Sequence, residues 1–236
     1  MHPLIVSGVR AVRSLFIPGM IVIFLWSVLV TIAMLVAFIA CSHIFFSWAS
    51  THMQSGVMSH LLPWIGTGAA GIIAWMLFPG IMPVIVNFFD NRISTLIEGH
   101  EYPATEYMYK SEFLPEFFHD LRFTIKAIIL NIIVLPLYLL PLFNLFVFFG
   151  LNGYLLGREF FVMAARRHMA AAQAEALRDK YSRLITITGA LLTLLATIPL
   201  VNLFAPFWGV AVMVHLYHQL AEAPKAQILP PEKEQP

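Results

Sequence analysis

The chain has 236 residues, 59% of them hydrophobic and only 11% charged, with a mean hydropathy of +0.80. Soluble domains carry about 25% charged residues, so these proportions exclude an ordinary water-soluble domain and define an integral membrane protein. The formal net charge of +1 is uninformative in itself, no nucleic-acid partner is expected, and the one cysteine, Cys41, excludes an internal disulfide.

Charge placement divides the chain. Residues 14–89, 127–157 and 184–221 contain no Asp, Glu, Lys or Arg, and all fourteen basic residues lie outside these runs. Residues 1–17 carry Arg10 and Arg13 among apolar positions and read as a basic amphipathic segment at the interface, with the arginines in the headgroups. Pro18-Gly19 punctuates the chain before a first transmembrane span over 20–46. No small-residue cleavage site follows this span, so it is expected to be retained rather than removed as a leader. The loop 47–60 is uncharged; with His43 it offers His52 and His60, which lack the carboxylate or regular spacing of a metal site. A second span over 61–89 carries a small-residue patch (Gly66, Gly68, Ala69, Ala70, Gly71) suited to close helix approach. Pro79-Gly80 and Pro83 are expected to kink it and Asp90 to end it.

Residues 90–126 form a polar insert of mixed charge, in which Glu98-Gly99-His100-Glu101 reads as solvated loop. Two apolar runs follow, 127–157 and 184–221, separated by the polar, Ala-rich segment 158–183, which is expected to extend as a helix into water. The tail 224–236 reads as disordered. Each run contains one copy of a short element: Pro141-Leu142-Phe143-Asn144-Leu145-Phe146 and Pro199-Leu200-Val201-Asn202-Leu203-Phe204 agree at five of six positions. Proline removes a donor and clashes with the preceding turn. The pattern therefore predicts a duplicated bend, with legs of about 13–15 residues that cross only part of a bilayer about 30 Å thick. The expected architecture is all-α: residues 1–223 as one membrane domain with two long transmembrane helices and two partly penetrating (re-entrant) helical hairpins. With that topology every basic residue falls on one face, the cytoplasmic one by the positive-inside rule, and so do both termini.

No catalytic constellation stands out: there is no phosphate loop, no Cys/His metal spacing and no nucleophile elbow, so no enzyme, cofactor or metal is expected. The candidate residues are polar groups at depth or at membrane boundaries. Asn144 and Asn202 can cap broken helices or line a polar path. Arg158 and Glu159 close the first uncharged run, where a charge must pair or snorkel, and Arg158 suits either the mouth of an anion path or an anchor paired with Glu159. Arg166, Arg167 and His168 form a cluster fit for anions or acidic lipid headgroups. His215 and His218, at i and i+3, read as interfacial histidines.

The stretch Asn152-Gly153-Tyr154-Leu155-Leu156-Gly157-Arg158-Glu159-Phe160-Phe161, followed by Arg166-Arg167-His168, resembles the signature of the CysZ sulfate permease family, grouped with the etoposide-induced membrane proteins. The second Pro-Leu-x-Asn-Leu-Phe copy with Ala205-Pro206 is similar to that family's C-terminal hairpin. The resemblance implies a homo-oligomer in the bacterial inner membrane, in contact with lipid, taking up sulfate for cysteine synthesis. It also implies a glycine near the start of the first span followed by a Leu-Arg-Arg-type sulfate-binding sequence. Here Gly19 is followed by Met20-Ile21-Val22, with Arg10 and Arg13 upstream as a loose substitute. A membrane scaffold or stress-linked envelope protein of the same fold is the alternative reading.

Overall fold

The computed structural model describes residues 2–52, 56–103 and 113–228, and every regular element among them is helical. In chain order the helices are α1 (His2–Ser14), α2 (Met20–Ser50), α3 (Val57–Glu101), α4 (Phe113–Val134), α5 (Pro141–Ala165), α6 (Ala171–Lys180), α7 (Ser182–Thr197), α8 (Pro199–Asn202) and α9 (Ala205–Ile228), with a 3-10 turn over Leu135–Leu139 between α4 and α5. Of the tail expected to be disordered over 224–236, residues 224–228 instead continue α9, and the rest lies outside the described residues. Two compact units result, Ile21–Asp90 on one hand, and Met1–Met20 with Asn91–Pro236 on the other.

The smaller unit pairs α2 with the first part of α3. Both segments are long and apolar enough to cross a bilayer, over Met20–Ser50 and Val57–Leu77. Their outer faces expose Leu25, Trp26, Leu29, Ile32, Trp64 and Trp75, a surface that water would not tolerate and lipid favours. The expected small-residue contact is made at Gly66, where a Cβ would collide with the ring of Phe46; nothing lies within 4 Å of a Cβ at Gly68 or Gly71. Next to it, His43 Nδ1 and Thr67 Oγ1 are 2.8 Å apart, and the His43 ring meets Trp64 edge-on. His43 is thus held within the helix pair.

Asp90 does not end α3. The helix runs on through Pro79 and Pro83 to Glu101, so the first part of the expected polar loop is helical. Proline is tolerated in apolar helices because neighbouring groups re-satisfy the freed carbonyl.

The larger unit is built from α1, the end of α3 and everything after it. Its α1 is amphipathic, burying Ser7, Ala11 and Ser14 at i, i+4 and i+7 while exposing Ile5, Val9 and Val12. It packs on α9, where Trp208 Nε1 donates to the Gly8 carbonyl at 3.4 Å. Gly19 follows with φ of 97°, a conformation that glycine adopts far more easily than other residues, just before α2 begins.

The duplicated motif makes the same local structure twice. Leu140 (φ −95°, ψ 112°) and Ile198 (φ −92°, ψ 113°) are both extended, as residues before proline tend to be. Pro141 and Pro199 then open helices at the first position, where a missing N–H is not needed. The N–H of Asn144 donates to the Leu140 carbonyl at 2.9 Å and that of Asn202 to the Ile198 carbonyl at 2.7 Å. The bends fall at 135–140 and 198–204, so the first lies just before the motif rather than at Asn144. The legs of the first hairpin also exceed the expected 13–15 residues: α4 has 22 and α5 has 25, because both helices run on into the flanking charged segments. Apolar stretches at Asp120–Leu139 and Phe143–Ala165 are each long enough to cross a membrane. In the second hairpin α7 has only 16 residues, about 24 Å at about 1.5 Å each.

α5 and α7 pack closest. A Cβ at Gly153 would lie 2.9 Å from Ala190, one at Gly157 would lie 2.5 Å from the Ile185 carbonyl oxygen, and one at Gly189 would overlap the Gly153 carbonyl. Gly153 and Gly157 form the small-xxx-small spacing that lets helix backbones touch. This contact fixes the end of α5, and with it the charged turn 166–169.

Candidate functional site

The buried centre of the larger unit is Glu98, which is only 1% exposed. It sits one turn before the end of α3 and collects basic groups from two other elements. The turn after α5 supplies Arg167, whose Nε and Nη2 each lie 3.1 Å from Glu98 Oε2. It also supplies His168, whose Nε2 is 2.7 Å from Oε1. α9 supplies His218, with Nε2 at 3.4 Å from the same oxygen. Arg167 is anchored further along α3, donating to Asn91 Oδ1 and to Thr95 Oγ1, both at 2.8 Å. Burial alone would push the Glu98 carboxyl up. The hydrogen bonds from His168 and His218 and the charge of Arg167 outweigh that and hold it well below the ordinary carboxylate range.

Aromatic faces wall this cluster. Tyr102 stacks on His218 with ring centres 3.9 Å apart, and Tyr217 on His168 at 5.0 Å. From Tyr102 a hydrogen-bonded loop leads to α1. Ser14 Oγ donates to the Arg10 carbonyl at 3.0 Å and lies 2.8 Å from His215 Nε2. His215 Nδ1 is 2.8 Å from the Tyr102 hydroxyl, to which Arg10 Nη1 donates at 3.5 Å. The His215 ring thus bridges a serine and a tyrosine hydroxyl, each able to donate or accept.

A second polar cluster joins α4, α5 and α6. Arg158, 3% exposed, donates from Nε to Glu175 Oε1 at 2.6 Å and from Nη2 to the same oxygen, while its guanidinium lies 3.5 Å from the centre of the Phe123 ring. Glu159, expected as its partner, is 51% exposed and 3.6 Å away. Glu175 on α6 is therefore the principal partner, because the turn after α5 folds α6 back along α5.

The other expected residues are distributed as follows. Arg166 pairs with Asp120 of α4 at 2.8 Å. Arg167 and His168 turn inward to Glu98 instead of facing solvent. Arg10 and Arg13 are exposed on α1, and neither has a carboxylate partner among the described residues. Asn144 is exposed in the first turn of α5, and Asn202 is buried in the tip of the second hairpin. Glu98, Tyr102, His215 and His218 were not legible as a site: Glu98 reads as loop and the histidines as interfacial, and their partners are 69 to 201 residues away in sequence.

Chemically, Glu98, His168 and His218 offer three ligand-type atoms within 4.8 Å of one another, the groups on which a metal ion would draw. Arg167 already supplies a positive charge to that carboxylate, which makes the cluster a self-compensated ionic network tying α3, α5 and α9 together.

Long apolar helices, lipid-facing outer surfaces and polar groups gathered in buried ionic networks define an α-helical integral membrane protein. The profile of the family described as Sulfate transporter CysZ/Etoposide-induced protein 2.4 matches residues 8–206, and the chain belongs to that family. Comparisons with curated proteins and with solved structures return no match.

Proposed function

We propose that the chain is an inorganic-anion permease of the bacterial inner membrane, working as a homo-oligomer with both termini in the cytoplasm, and that its substrate is sulfate. Membership of the sulfate transporter family carries the reading. The hairpins enter and leave on one side, and the path runs between hairpins or subunits, with Asn202 at depth and Asn144 towards its outer end. Among the candidate cations, Arg158 is committed to Glu175, Arg166 to Asp120 and Arg167 to Glu98, so these act as anchors. Arg10 and Arg13 keep their charge uncompensated by described carboxylates and serve as the entrance that attracts the anion.

The test is radiolabelled sulfate uptake into proteoliposomes, with chloride, phosphate and sulfite as competitors. Uptake above that of empty vesicles is expected. Replacing both arginines (Arg10→Gln with Arg13→Gln) should lower it about tenfold at low anion concentration, since a charge at a partly desolvated surface contributes about 1–4 kcal/mol and about 1.4 kcal/mol is a factor of ten. Folded, reconstituted protein that moves none of these anions would end the permease reading and favour a scaffold.

A further inference from the structure

The elbow between α6 and α7 has features that the ionic networks above leave unused. A cleft of about 570 Å³ opens there, lined by Tyr154, Arg178, Asp179, Ser182 and Arg183 among others. Arg178 is 5% exposed and stacks on the Tyr154 ring at 4.4 Å. Its Nη1 donates to Asp179 Oδ1 at 2.7 Å, but Nε and Nη2 have no acceptor among the described residues. A buried guanidinium N–H without a partner is costly. The unpartnered pair is the Nε–Nη2 edge, the fork whose two parallel N–H groups match two oxygens of a carboxylate, sulfate or phosphate.

The same elbow ends at the N-terminus of α7, a 16-residue helix whose cap, Tyr181, makes no side-chain hydrogen bond and whose first turn carries no acid. Free N–H groups and the helix dipole favour an anion at such an end. Ser182 adds a hydroxyl, and Arg183 adds an exposed charge at the rim. Lys126 adds a further cation, donating to the Tyr154 hydroxyl at 2.7 Å. Asp179 faces solvent at 69% exposure and offsets only part of this charge.

We propose that this elbow is a binding site for a tetrahedral oxyanion, sulfate or a phosphate group, held by the Nε–Nη2 edge of Arg178, the Ser182 hydroxyl, the first turn of α7 and Arg183. The anion is either free in solution or the phosphate of a lipid headgroup; exposed Ile187, at the edge of the same cleft, and Leu191 and Leu194 beyond it continue as an apolar strip along α7. The site does not depend on transport, so binding tests it separately from uptake.

Purified full-length protein in detergent is titrated with sodium sulfate and sodium phosphate at constant ionic strength set with chloride, and thermal unfolding is followed. In a second arm, phosphatidylglycerol or phosphatidylcholine is added and retained lipid is counted by native mass spectrometry. A saturable rise in melting temperature with sulfate or phosphate identifies a free anion, and selective retention of phosphatidylglycerol identifies a headgroup; either supports the site. Arg178→Lys keeps the charge but loses the fork, and Arg183→Gln changes an exposed residue and so spares the fold. At least one of the two should weaken binding about tenfold, about 1.4 kcal/mol. No response beyond chloride together with no lipid selectivity, or binding that both variants leave unchanged, overturns the proposal.

Discussion

At the scale of single residues, Glu98 is the position where one substitution reaches furthest. Its carboxylate is the shared acceptor for Arg167 and His168 from the turn after α5 and for His218 from α9. Removing one member of a buried ionic network leaves the others uncompensated, at a cost of about 3–5 kcal/mol. Glu98→Gln should therefore lower the melting temperature in detergent markedly, and an unchanged midpoint would show the network to be dispensable. Acid should act through the same group. The folded-state carboxyl lies below its ordinary value of 4.5, so the folded protein keeps it ionised where the unfolded chain binds a proton. That contribution to stability is complete above about pH 4.5 and is lost as pH falls from there towards the folded-state value. Wild-type protein should lose stability more steeply than Glu98→Gln below pH 4.5, and parallel curves would refute the assignment.

At the scale of elements, the α5–α7 contact decides where the charged turn after α5 is delivered. A methyl at Gly189 meets the backbone of Gly153 and Gly157, which has no flexible side chain to move aside. Elsewhere in a helix, Gly→Ala stabilises by roughly 0.5–1 kcal/mol. Here Gly189→Ala should destabilise by about 1–3 kcal/mol through overpacking. Gly150→Ala, on the partner helix α5 but with nothing within 4 Å of the added carbon, is the control and should be neutral or stabilising. Melting temperatures of the two variants shifting in the same direction would show that backbone proximity does not hold the pair. The spacing of Gly153 and Gly157 was readable in the sequence, but their partner was not: nothing in Gly189 and Ala190 marks them as the facing surface.

At the scale of the whole molecule, helix length separates the two hairpins that the repeated motif makes alike. The first has legs long enough to cross a hydrocarbon core of about 30 Å, whereas α7, at 16 residues, falls short. In a Cys41→Ser background, a cysteine at Leu139 should react with an impermeant thiol reagent added outside, and one at Leu203 should resist it. Equal labelling of both tips would mean that helix length does not set their depth.

The sequence by itself determined the membrane class, the helical composition and the duplicated bend. A bilayer leaves the backbone few ways to satisfy its own hydrogen bonds, and proline acts on its immediate neighbours. Both effects are local, so Leu140 and Ile198 adopt the conformation that their prolines dictate. Run length misjudged the legs of the first hairpin because a helix need not stop where its apolar stretch stops. Likewise α3 passes Asp90, since a charge beyond the apolar core can be solvated or paired without breaking the helix. Only the tertiary structure decided the choice of partners. Arg158 turns to Glu175 instead of its neighbour Glu159, and Glu98 leaves the solvent to meet His168 and His218. A buried charge is stabilised by whichever opposite charge packing brings within reach, and packing across 70 to 120 residues leaves no local mark on the chain.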